Sequence, residues 1–116
     1  MQVLLESPGI VLPSNEAQVL VTRVRHAFER VARRIDRVHV SLRDVNGPRG
    51  GRDKLCMIRI ELANRGQIVV RERSSEMSRA MKRSLSRARA LVASELKRRS
   101  WAGQRPLLLL PLEARQ

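Results

Sequence analysis

Residues 38–70 read VHVSLRDVNGPRGGRDKLCMIRIELANRGQIVV. Val38, Val40 and Leu42 alternate with His39, Ser41 and Arg43, and Cys56, Ile58, Ile60 and Leu62 alternate with Met57, Arg59 and Glu61. Successive side chains of a strand point to opposite faces, so this period of two marks two half-buried strands. Between them, Asn46 to Arg52 holds three Gly and one Pro and reads as a loop. Asn64-Arg65-Gly66 is a tight-turn signal, and Ile68-Val69-Val70 supplies a third strand. Two hairpins in succession make an antiparallel meander.

The flanks read differently. Val3-Leu4-Leu5 is a short apolar run closed by Pro8-Gly9, a candidate first strand. Asn15-Glu16-Ala17-Gln18 has the spacing of a capping box, with Asn15 as N-cap and Gln18 at N3. Ala17, Leu20, Val24, Phe28, Val31 and Ile35 then recur every three or four residues, which predicts an amphipathic helix over 15–37. Downstream, Ser74-Ser75 with Glu76 in the first turn opens a second helix ending near Arg99. Its apolar face carries Met77, Met81, Leu85, Ala88, Leu91 and Val92. Residues 101–116 contain Gly103, Pro106 and Pro111 and read as an irregular Leu/Pro tail behind one domain of residues 1–100. The order β-α-β-β-β-α predicts an α+β two-layer sandwich: a mainly antiparallel four-stranded sheet with two helices on one face.

Composition narrows the function classes. The chain of 116 residues holds 24 Lys and Arg against 11 Asp and Glu, a net charge of +13. Such an excess points to a polyanionic partner, nucleic acid above all. Aromatic residues are nearly absent, Phe28 and Trp101 alone, which disfavours recognition by stacking bases on an aromatic sheet. The single cysteine, Cys56, excludes an internal disulfide and a cysteine zinc site, and its strand position reads as a small buried hydrophobe. No secretory pattern opens the chain, and the run from Leu107 to Leu110 is far short of the ~20 residues of a membrane span, so a cytoplasmic protein is expected.

The cations fall in a pattern. Arg79, Lys82, Arg83 and Arg87 stand at i, i+3, i+4 and i+8, opposite the apolar face of the second helix, and no acid interrupts that helix between Glu76 and Glu95. Along the first helix, Arg23, His26, Arg30, Arg33, Arg34 and Arg37 lie away from the apolar stripe, diluted by Glu29 and Asp36. Solvated helix faces usually mix signs for i,i+4 pairing; an almost acid-free face repels itself unless a polyanion binds. The Asn46–Asp53 loop lacks the spacing of a P-loop and precedes a strand. It reads either as a hairpin connection or as a basic finger presenting Arg49 and Arg52. His26 and His39 have no ligand-spaced Cys or carboxylate, and Asp44 and Asp53 are expected to brace turns through Asx hydrogen bonds. No enzyme site, metal or cofactor is expected.

The window from Val38 to Ile60 resembles the ribosome hibernation-promoting factor/ribosome-associated inhibitor family. Members have a strand ending in Asp-x-Asn-Gly, a Gly-Gly-x-Asp-Lys loop and a Cys in the next strand, and Asp44, Asn46, Gly47, Gly50, Gly51, Asp53, Lys54 and Cys56 stand at those places. The family's second-helix pattern Ala-hydrophobic-x-x-Ala-x-x-Arg falls on Ala80, Met81, Ser84 and Arg87, with Ser in place of the second Ala. The resemblance implies the same β-α-β-β-β-α fold. It also implies binding to ribosomal RNA of the small subunit, between head and body, where the domain blocks the mRNA and tRNA positions without covalent chemistry. Arg79, Lys82, Arg83 and Arg87 would then carry the main RNA contacts. Arg23, Arg30, Arg33, Arg34 and Arg37 of the first helix, with Arg49, Arg52 and Lys54 of the loop, would supply secondary ones.

The partner expected on this reading is the small ribosomal subunit, with no membrane and no small-molecule substrate, and a monomer off the ribosome. Ribosome pairing through a C-terminal dimerisation domain, a property of long members, is not expected of 116 residues, and the run Pro106–Leu112 is unlike the short members. Two rivals stand beside this reading: a general double-stranded RNA or DNA module, and a regulatory adaptor that uses the Leu107–Leu112 tail.

Overall fold

In the computed structural model the backbone is described for residues 1–45, 54–64 and 66–109, and side chains as far as residue 98. Strand β1 (Gln2–Glu6) leads into helix α1 (Ser14–Phe28), followed by a 3-10 segment (Glu29–Arg34). Strands β2 (Ile35–Asp44), β3 (Lys54–Leu62) and β4 (Gln67–Ser74) form the meander, and helix α2 (Met77–Leu109) ends the described chain. The sheet order is β1-β2-β3-β4; β1 runs parallel to β2 and the other two pairs are antiparallel. The fold is the predicted α+β two-layer sandwich.

Strand alternation sorts the sheet into two faces. Val38, Val40 and Leu42 of β2, Cys56, Ile58, Ile60 and Leu62 of β3, and Val70 of β4 point to one side. There they form a single core with Leu20, Val24 and Phe28 of α1 and Ala80, Ala88, Val92 and Leu96 of α2. Both helices therefore cover the same face, and the other face is open to solvent.

Several sequence expectations are corrected. Helix α1 stops at Phe28 rather than near residue 37. Val31 leaves helical geometry (φ −119°, ψ 16°), and Ile35, 2 % exposed, pairs with Leu62 in the sheet. Two β-branched residues favour that exchange, since burial in a strand offers Ile35 more than a further helical turn. Arg37 consequently sits on β2 and not on a helix. At the other end of α1, Pro13 is the N-cap instead of Asn15, its carbonyl accepting the Ala17 N–H at 2.9 Å with no side-chain cap. Pro suits that place because its fixed φ precedes the first helical turn without wasting a donor.

Strand β4 continues through Arg71-Glu72-Arg73 to Ser74, so Ser74 closes a strand; its Oγ accepts the Glu76 N–H at 3.3 Å ahead of the helix. Helix α2 runs to Leu109, ten residues past Arg99 and through Gly103 and Pro106, where an irregular tail is predicted. The good helix formers Gln104, Arg105 and Leu107 to Leu109 around those two breakers favour continuation. At 33 residues α2 is about 50 Å long, against about 30 Å for the longest strands, β2 and β3.

The core stripe of α2 is also one step round from the sequence reading. Ala80, Ser84, Ala88, Val92 and Leu96, at every fourth position, are the buried residues; Met77, Met81 and Leu85 flank them half-buried, and Leu91 is 42 % exposed. Three small side chains in that stripe let the helix backbone approach the sheet closely. A larger group there pushes the layers apart. Ala88→Leu is expected to cost about 1–3 kcal/mol in urea denaturation, whereas Leu91→Ala should stay within roughly 0.5 kcal/mol.

Candidate nucleic-acid interface

The space between the end of α1, the 3-10 segment and α2 is a groove of about 640 Å³. Phe28, Val31 and Val92 line its floor, and Ala27, Ala90 and Ala93 keep it open because none projects past Cβ. Arg30 and His26 stand on one wall and Arg89 on the other. A smaller recess of about 290 Å³ extends the groove between Arg23, His26, Leu85 and Arg89. Cations thus face one another across an open cleft, with Glu29 as the acid at its rim. Such a cleft concentrates positive potential on whatever enters it.

The expected α2 cluster divides into two stripes. Arg79, Arg83 and Arg87 follow one another at i+4 along the flank nearer β4, as the contacts of Arg87 establish: its Nη1 donates to the Glu72 carboxylate and, at 3.4 Å, to the Arg71 carbonyl. Lys82 and Arg89, seven residues apart, follow the other side toward α1, where Arg89 lines the groove. All are exposed. Arg79 lies 3.5 Å from Glu76, while Lys82, Arg83 and Arg89 have no ion pair among the described residues. Arg89 was absent from the sequence-derived set although its spacing from Lys82 was legible. Glu72 was missed because strand β4 was read too short to place it opposite α2.

The remaining expected contacts scatter. Arg23 and Arg30 border the groove; Arg33 and Arg34 are exposed on the 3-10 segment. Arg37 lies on the open sheet face, 3.9 Å from Glu61. Lys54 Nζ donates to Asp44 Oδ2 at 2.6 Å, a cross-strand ion pair at the first residue of β3. Asp44 therefore braces two strands. Asn64 makes an Asx turn, its Oδ1 accepting the Gly66 N–H at 3.2 Å. Arg49, Arg52 and Asp53 lie outside the described residues.

Cys56 is fully buried beneath α2, with the Ser84 hydroxyl 3.0 Å from its Sγ and 3.0 Å from the Met81 carbonyl. Burial pushes the thiol up to about 11 from 9.0, with the Ser84 hydrogen bond pulling weakly the other way. A thiol held protonated is not a nucleophile. Among the described residues no group of three His, Cys, Asp or Glu is arranged to hold a metal, and no helix is long and apolar enough to cross a membrane.

No family model and no curated protein matches the sequence. Solved structures do match the fold. A ribosomal subunit interface protein from Coxiella burnetii superposes with a TM-score of 0.68 at 12 % identity, over 84 % of this chain and 99 % of the other. The N-terminal domain of Thermus thermophilus Protein Y superposes with a TM-score of 0.62 at 15 % identity, over 79 % and 96 % of the two chains.

Two outcomes follow from the site. Glu72→Gln releases Arg87 from its partner, so affinity for a polyanion such as heparin should rise roughly 2- to 5-fold and the salt slope steepen by up to about one charge, measured by titration at several salt concentrations. For Cys56 the sign runs toward instability in alkali. Between pH 9 and about 11 the unfolded chain ionises the thiol and the folded chain does not. The wild type should therefore lose roughly 2 kcal/mol relative to Cys56→Ala across that window, as read from urea midpoints at pH 8.5 and 11.

Proposed function

We propose that this chain is a ribosome-associated hibernation factor that binds small-subunit ribosomal RNA in the mRNA and tRNA channel and blocks translation by occupying it. The observation that carries the reading is the interhelical groove, where Arg23, Arg30 and Arg89 face one cleft. The groove lies on a fold shared with a ribosomal subunit interface protein. Arginine suits the task because its planar guanidinium grips phosphate oxygens in pairs. Lys82 and Arg83 extend the cationic surface over the outer side of α2. Arg79 and Arg87 contribute less than their positions in the sequence imply, since each is held by a carboxylate. The mechanism is steric: a rigid two-layer body with a charged helical side fills space that mRNA and tRNA need, with no bond made or broken. The chain acts in the cytoplasm, as a monomer off the ribosome.

About six phosphate contacts predict a fall in affinity of ~10³ between 50 and 200 mM salt. Sedimentation with vacant small subunits at ~100 mM salt tests the binding, and a translation assay tests the inhibition. Arg23→Glu, Arg30→Glu and Arg89→Glu together should abolish co-sedimentation, whereas Arg59→Gln on the sheet should retain it. Equal affinity for naked duplex RNA and for small subunits would instead identify a general duplex-binding module.

A further inference from the structure

The open face of the sheet carries a charge pattern that the helical groove does not use. The strand register arranges its side chains in four rows: Gln2, Arg37, Glu61, Gln67; then Leu4, His39, Arg59, Val69; then Glu6, Ser41, Met57, Arg71; then Arg43, Leu55, Arg73. In the first two rows the charges are compensated. Arg37 and Arg59 each lie 3.9 Å from Glu61, and His39 sits 3.1 Å from an Arg59 nitrogen and 3.5 Å from Glu6. In the last two rows the one acid, Glu6 at the β1 edge, faces His39, and the arginines are not compensated. Arg43, Arg71 and Arg73 are exposed and have no ion pair among the described residues; Arg43 reaches the Ser41 hydroxyl at 3.5 Å. Glu72, the acid of β4, points to the opposite face, where Arg87 holds it.

The three arginines surround an apolar floor. Arg43 and Arg73 flank Leu55 from the two neighbouring strands, about 10 Å apart, and Arg71 stands two residues from Arg73, about 7 Å along β4. Leu55 and Met57 lie half-buried between them. We infer that this end of the open face is a second nucleic-acid surface, one that takes a single-stranded segment. Its phosphates meet Arg43, Arg71 and Arg73, while bases lie against Leu55 and Met57 or stack on the guanidinium planes. Two details favour a single strand over a duplex or an acidic protein segment. All the cations here are arginine, which both grips phosphate and stacks on bases. The apolar floor between them offers contact to a base that a duplex keeps buried in its own stack. The inference goes beyond the ribosomal reading and does not depend on it: the domain would hold RNA on both of its faces.

The test is fluorescence anisotropy with a labelled 12-nucleotide oligouridylate at ~50 mM salt. Replacing Arg43, Arg71 and Arg73 by Gln keeps their bulk on exposed strand positions, so folding should be retained, and circular dichroism checks it. This variant should bind at least tenfold more weakly, with a salt slope lower by about two, from three lost contacts at ~0.7 each. Arg59→Gln, in the compensated rows of the same face, should keep oligonucleotide affinity within about threefold. Binding by the sheet variant within twofold of wild type would overturn the inference. So would tighter binding of a 12-residue polyglutamate than of the oligonucleotide, which would assign the face to an acidic protein. Oligonucleotide binding that depends on these arginines supports the inference even if the protein fails to sediment with small subunits, which would defeat only the ribosomal reading.

Discussion

Close contact between helix α2 and the middle of the sheet positions everything else in this molecule. Ala80, Ser84 and Ala88 are fully buried, and Ser84 sits directly over Cys56. Small residues at that seam bring the helix backbone near the strands, and hydrogen bonding satisfies the one hydroxyl that is sealed there. The angle at which α2 meets the sheet then dictates where its long side chains emerge. One cationic flank turns toward β4 and meets Glu72; the other turns toward α1 and becomes a wall of the groove. A bulkier seam would roll the helix and redistribute both.

Acid placement matters as much as basic excess. With a net charge of +13 on so small a body, cations alone do not mark an interface. The 11 acids discriminate. Glu72, Glu76 and Glu61 neutralise Arg87, Arg79 and Arg37 respectively, leaving uncompensated charge at the interhelical groove and at one end of the open sheet face. These are the places where a bound polyanion would relieve self-repulsion, which is the physical content of proposing them as interfaces.

The fold was legible because its two periodicities were clean. Alternation over Val38–Leu42 and Cys56–Leu62 announced half-buried strands, and the Leu20, Val24, Phe28 spacing announced a helix packed on them. Boundaries were less legible. Ile35 continued the helical spacing of α1 yet joined the sheet, because its pairing with Leu62 is a contact far away in sequence. Gly103 and Pro106 signalled a stop that helix α2 overrides. Site residues fared the same way: Arg23, Arg30, Lys82 and Arg83 could be placed on exposed helix faces from spacing alone, while Arg37 changed element and Arg87 proved to be paired.

The amino-acid order alone therefore specified the strand and helix types, their β-α-β-β-β-α succession, a buried unreactive Cys56 and a large positive charge carried partly on helices. These are local quantities: a residue's period and its neighbours a few positions away suffice to state them. Which cations share a cleft, which are neutralised and which face is left open depended on packing. Arg89 meets Arg30 and Arg23 across the groove, and Arg87 meets Glu72, only because two helices dock on one side of a sheet whose register brings distant residues together. Coulomb interactions act through space and not along the chain, so the charge pattern that matters for binding exists only once the layers are assembled.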